Sequence, residues 1–124
     1  MYLVDEETGD ITLTQGDTGD YIVTGLPTDK EYTIYFAVQD EKRNAVGSEI
    51  SKALNNSDAV TLTIPSTLTD LLTVKKTEEY ATYYFGLKLC TAAGTEDTLI
   101  IGNKQVGEKN TITVYPKIVE GLNG

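Results

Sequence analysis

The chemistry this chain can hold is limited by one absence: there is no histidine among its 124 residues. Histidine is the commonest general base and a standard zinc ligand, so neither a Ser-His-Asp nor a Cys-His site can be assembled. The single cysteine, Cys90, permits no intrachain disulfide and no zinc spacing. It sits in an apolar strand pattern, where a free thiol packs as a small hydrophobe. Carboxylates are what remain. Asp5, Glu6, Glu7 and Asp10 cluster near the start, and Asp17 and Asp20 flank a turn. Such oxygens suit calcium or a glycosidase-like acid pair. However, the spacing is not that of an EF-hand, and no tryptophan offers a sugar platform. Asp-Gly turns also have a local cause, since Gly supplies positive φ and Asp bonds its own backbone. No glycine-rich phosphate loop precedes a helix. The expectation is a protein with no catalytic residues, no cofactor and no metal.

Surface contact is the other chemistry available. Tyr outnumbers Phe eight to two. Tyr32, Tyr83 and Tyr80 are expected on core faces. Tyr35 and Tyr84 fall on the opposite faces of the two strongest strands, where they would form a contact patch if nothing covers them. A covering helix turn or loop would make them ordinary packing.

The elements that must position these residues follow a period of two. Ile11 and Leu13 alternate with Thr12 and Thr14. A turn at 15–19 returns the chain along 20–24, which reads as a hairpin. Thr8-Gly9-Asp10-Ile11 recurs as Thr18-Gly19-Asp20-Tyr21, two strand starts with the same turn chemistry. From Glu31 to Gln39, Tyr32, Ile34, Phe36 and Val38 share one face. A weaker strand is expected over 46–54, and Val60, Leu62 and Ile64 alternate with threonines. Pro65 interrupts the pattern. Residues 66–72 fit one short helical turn with Ser66 as N-cap and Leu68, Leu71 and Leu72 facing the sheet. From Ala81 to Thr91, Tyr83, Phe85, Leu87 and Leu89 share a face. A short apolar strand is expected over 98–101 and a last strand over 111–115. Pro116 makes anything beyond it, such as Ile118 and Val119, an edge.

Strands at intervals near ten residues, separated by Gly, Asn and Asp, predict an all-β fold. The expected form is an antiparallel immunoglobulin-like sandwich in one domain, 1–124, with at most one short helical turn near 66–72. Nineteen acids against ten bases give a net charge of −9. Phosphate binding needs clustered Lys and Arg, so nucleic acid and anionic membranes are disfavoured as partners. The acidity favours solubility. Met1 to Val4 is followed at once by Asp5-Glu6-Glu7, the reverse of a signal peptide.

Four stretches carry a resemblance. They are Leu13-Thr14-Gln15-Gly16-Asp17-Thr18, Tyr32 to Asp40, Tyr83 to Leu89, and the closing Thr111-Ile112-Thr113-Val114-Tyr115-Pro116. Their order resembles the amino-terminal domain of phage baseplate upper proteins and related tail proteins of phages and prophages in Gram-positive bacteria. The resemblance spans roughly 11–116 and departs in its long polar loop, 103–110. It implies a virion structural part made in the bacterial cytoplasm, docking on other virion proteins as a homo-oligomer, often as the anchor of a longer receptor-binding part. It carries no catalytic residues. Gly121 to Gly124 would suit either a complete small protein or the cut end of such an anchor. The reading from another class is a non-catalytic carbohydrate- or cell-surface-binding module.

Overall fold

A computed structural model of the chain describes residues 1–120; the closing Gly121 to Gly124 lies outside the described residues. The strands are β1 (Tyr2–Val4), β2 (Ile11–Thr14), β3 (Gly19–Val23), β4 (Tyr32–Gln39), β5 (Ala45–Ala53), β6 (Val60–Ile64), β7 (Ala81–Thr91), β8 (Glu96–Thr98) and β9 (Asn110–Tyr115). One helix, α1 (Ser66–Thr69), follows β6. The large sheet runs β1-β2-β9-β7-β4-β5, with β8 paired to β7 beside β9. The small sheet is β3-β6. The architecture is an immunoglobulin-like β-sandwich.

Alternation builds the core. The inward residues Ile34, Phe36 and Val38 of β4 and Tyr83, Phe85, Leu87 and Leu89 of β7 are buried. Opposite them stand Tyr21 and Val23 of β3 and Val60, Leu62 and Ile64 of β6. The buried residues form one contiguous cluster. Its centre is aromatic. The Tyr21 ring meets Phe85 edge-on with centroids 5.3 Å apart, and Phe36 stacks on Phe85 at 5.1 Å. Tyr21 thus joins the small sheet to the large one. Its hydroxyl donates to the Gly9 carbonyl at 2.7 Å, so the buried phenol is satisfied.

Two parts of the topology depart from the sequence expectation. β2 and β3 do not form a hairpin. The residue pattern is the same on both, but β2 joins the large sheet and β3 the small one. Ile11 and Leu13 therefore face Tyr21 and Val23 across the core rather than beside them. β2 instead pairs in parallel with β9, Ile11 opposite Ile112 and Leu13 opposite Val114. Every other ladder is antiparallel. A parallel pair needs a long crossover, which here is nearly the whole chain.

Asp10 clasps this closure. Its carboxylate accepts from the Thr111 amide at 2.9 Å, the Asn110 side chain at 3.2 Å and Lys104 Nζ at 3.0 Å. Burial alone would raise the Asp10 carboxyl. The hydrogen bonds from Thr111, Lys104 and Asn110 outweigh it and hold the group below its ordinary value.

Smaller departures have local causes. Pro65 occupies the N-cap of α1, and Ser66 is its first residue, with no side-chain cap bond. Leu68 and Leu72 are buried as expected, whereas Leu71, beyond the end of the helix at Thr69, is half exposed. Tyr80 is exposed rather than core. It precedes the inward Ala81 and Tyr83 by odd steps, so it falls on the outer face, against the Tyr115 ring at 5.9 Å. Tyr32 is half-buried and packs against the core margin. The strand expected over 98–101 lies earlier, at Glu96–Thr98, and is wholly exposed. Ile118 and Val119 extend no strand and are almost fully exposed. Lys117, just past Pro116, anchors this segment to Asp70 at 2.7 Å.

Phe36→Ala should cost about 3–5 kcal/mol by emptying the aromatic centre, read as a lower urea midpoint with the slope retained. The Asp10 carboxyl is depressed in the fold, so its contribution is present above the ordinary carboxylate range and lost as pH falls through the folded value. Asp10→Asn should lower the melting temperature at neutral pH and flatten its fall below about pH 4, followed by circular dichroism.

Candidate functional site

The outer face of the large sheet is built by the residues that alternation turns away from the core. On β4 these are Thr33, Tyr35, Ala37 and Gln39; on β7 they are Thr82, Tyr84, Gly86, Lys88 and Cys90. The register sets Ala37 opposite Gly86, with Tyr35 opposite Lys88 on one side and Gln39 opposite Tyr84 on the other. Two of the smallest side chains therefore meet at the centre, and the two tyrosines stand diagonally across them.

This arrangement makes a shallow, open depression of about 610 Å³. Nothing lies within 4 Å of where a Gly86 Cβ would stand. Glu49 of β5 and Thr98 of β8 border it on opposite sides. Lys109 Nζ lies 5.0 Å from the centre of the Tyr84 ring, a cation–π contact. Lys88 pairs with Glu96 at 3.5 Å, and Cys90 Sγ lies 3.9 Å from the same carboxylate. Cys90 is part-exposed on this face rather than packed in the core. Tyr80 and Tyr115 add a second aromatic pair on the same face, beyond Thr82 and Thr113.

Tyr35 and Tyr84 thus fall together as the strand pattern predicts, each half-buried against neighbouring side chains. The helix is not over them: Leu68 of α1 enters the core and approaches Gly47 of β5. Sequence reasoning did not single out Gly86, Ala37 or Lys109. A glycine inside a strongly alternating strand was the available signal, because it marks a bulge or a place of close approach.

Of the acidic residues that could act as ligands, Asp5, Asp10, Asp17 and Asp20 have partners within the fold, and Glu6 and Glu7 are exposed. Asp5 accepts from the Glu7 and Thr8 amides at 2.9 and 3.0 Å. The Thr8 and Glu7 amides hold its carboxyl below the ordinary range. Asp10 forms the clasp, Asp17 pairs with the Met1 amino group, and Asp20 accepts from Thr63 Oγ1 at 3.3 Å. Among the described residues no group of three or more acids or Cys is arranged to hold a metal ion. No helix among them is long and apolar enough to cross a membrane.

No protein-family model and no curated protein matches the chain. Among solved structures, the crystal structure of the periplasmic chaperone SfaE is similar, with a TM-score of 0.56 at 11% identity. The match covers 92% of this chain and 57% of that one, so the chain spans little more than half of the solved neighbour. At this identity the likeness is one of fold.

Because the space above Gly86 is empty, a β-branched residue there should be accepted. Gly86→Thr is predicted to leave the fold intact and to stabilise it by up to about 1 kcal/mol, the usual cost of glycine in a strand. Urea unfolding reads this directly.

Proposed function

We propose that this chain is a non-catalytic docking domain of a phage or prophage tail or baseplate, which binds neighbouring virion proteins and copies of itself through the outer face of the large sheet. The carrying observation is the tyrosine-bordered depression over Ala37 and Gly86. Aromatic side chains beside small ones, rimmed by Lys109, Lys88, Glu49 and Glu96, combine an apolar centre with a charged rim. The placement in a virion rests on the sequence resemblance given above. The reading as a non-enzyme is supported by the absence of histidine and by the commitment of the Asp5 and Asp10 carboxylates to backbone amides.

A symmetric assembly is the natural form for such a part, since tail components surround an axis. One feature favours the carbohydrate-binding alternative: the depression is of a size that small ligands occupy. A glycan array separates the two, because a docking face gives no saturable glycan binding.

The test is light scattering over a concentration series, together with pull-down by the cognate baseplate proteins. A defined oligomer or complex is expected. It should be lost in Tyr35→Ser/Tyr84→Ser and in Gly86→Thr, both of which stay folded. A chain that is monomeric at every concentration, with partner capture unchanged in these variants, overturns the proposal.

A further inference from the structure

The small sheet has two strands, so β3 and β6 each have one edge without a hydrogen-bonded neighbour among the described residues. On β3 that edge is open to approach. The Tyr2 ring covers Gly19, the first residue of the strand, and would collide with any side chain there. From Asp20 to Thr24 the strand lines a groove of about 730 Å³, whose other borders are the 4–6 and 100–102 segments. Both the inward residues Tyr21 and Val23 and the outward residues Asp20 and Ile22 reach it, while no residue of β6 does. The groove therefore runs along the free backbone edge rather than over a face of the sheet.

Two properties of the groove narrow its occupant. Its margin is apolar: Ile22 and Ile100 are 66% and 55% exposed, and Val4 lies beside them. Its charge is of one sign: Asp5, Glu6 and Asp20 line it, and no Lys or Arg does. Free edges are ordinarily protected by kinks, prolines or lysines. β5, the outer strand of the large sheet, has such protection. Gly47 with positive φ accompanies a register shift, and Lys52 reaches across to the Thr61 carbonyl at 3.0 Å. β3 has no proline, lysine or register shift.

We propose that the β3 edge is a strand-addition site. It takes an extended segment of a partner protein, apolar at alternate positions and bearing Lys or Arg, as a third strand of the small sheet. Main-chain hydrogen bonds to β3 would supply affinity, and the Ile22 and Ile100 margin would receive alternate side chains. The carboxylates select the charge of the partner. A second copy of this chain is a poor occupant, since pairing β3 with β3 would bring Asp20, Asp5 and Glu6 against their equivalents in a chain of charge −9. This site is separate from the Tyr35–Tyr84 face and does not depend on it.

The experiment uses the full chain labelled with nitrogen-15 and a short capped peptide of alternating threonine and valine with lysine at both ends. A counterpart with glutamate at both ends is the control. Amide resonances from Asp20 to Thr24 should shift saturably with the lysine peptide, and their hydrogen exchange should slow. Binding should be at least about tenfold tighter than for the glutamate peptide. Asp20→Lys should shrink that preference, since Asp5 and Glu6 remain, and Ile22→Asp should weaken both peptides. Both positions are exposed, so the fold is retained. Unchanged β3 amides, equal binding of the two peptides, or shifts centred on Tyr35 and Tyr84 would overturn the site. Protection of β3 that grows with protein concentration alone would replace the partner by a second copy and overturn it as well.

Discussion

The closure of β2 against β9 is the constraint on which the other elements depend. Residues 11–14 and 112–115 lie side by side, although about a hundred residues separate them. A parallel ladder of this kind supplies no local turn to fix its register. The register is fixed instead by Asp10, which takes hydrogen bonds from Thr111, Asn110 and Lys104 just before the ladder begins. Asn110 in turn donates to the Thr8 carbonyl at 3.0 Å, so both strands enter the sheet from one tied point. A slip of β2 by one residue against β9 would turn Ile11 and Leu13 out of the core together.

With that edge closed, β7 becomes the central strand. It pairs along one side with β4 and along the other with β9 and β8 in succession. Its inward row supplies Phe85 to the aromatic centre, and its outward row supplies Gly86 to the depression. Core and candidate site are thus consecutive residues of one strand. The rigidity that Phe36, Phe85 and Tyr21 give the interior is what holds Tyr35 and Tyr84 at a fixed separation on the outside.

The strand interiors were legible because alternation is a local property. Ile34, Phe36 and Val38, and Tyr83 through Leu89, face inward as their spacing predicts. The outward placement of Tyr35 and Tyr84 follows from the same rule. Sheet membership was not legible. Nothing in 11–24 distinguishes a hairpin from two strands that cross between sheets, because both give the same inward residues. Tyr80 misled for a different reason: an aromatic beside a strong strand suggested core, although its parity relative to Tyr83 already placed it outside. β8 is short and wholly exposed, so it carries no hydrophobic pattern to find. The depression needed the register of Ala37 against Gly86, and register between distant strands is a tertiary fact.

The parallel closure also has a consequence for the order in which the protein forms during synthesis. β2 leaves the ribosome about a hundred residues before its partner β9. Until β9 emerges, the three residues of β1 are the only strand neighbour of β2 among the described residues. Its inward Ile11 and Leu13, fully buried in the finished protein, must wait uncovered along that side. The β4–β5–β7 part can assemble earlier, because its ladders join segments that emerge in succession. The nascent chain therefore carries an apolar strand with one edge unpaired until β9 emerges, and a slowed ribosome would lengthen the interval in which that edge can meet a wrong one.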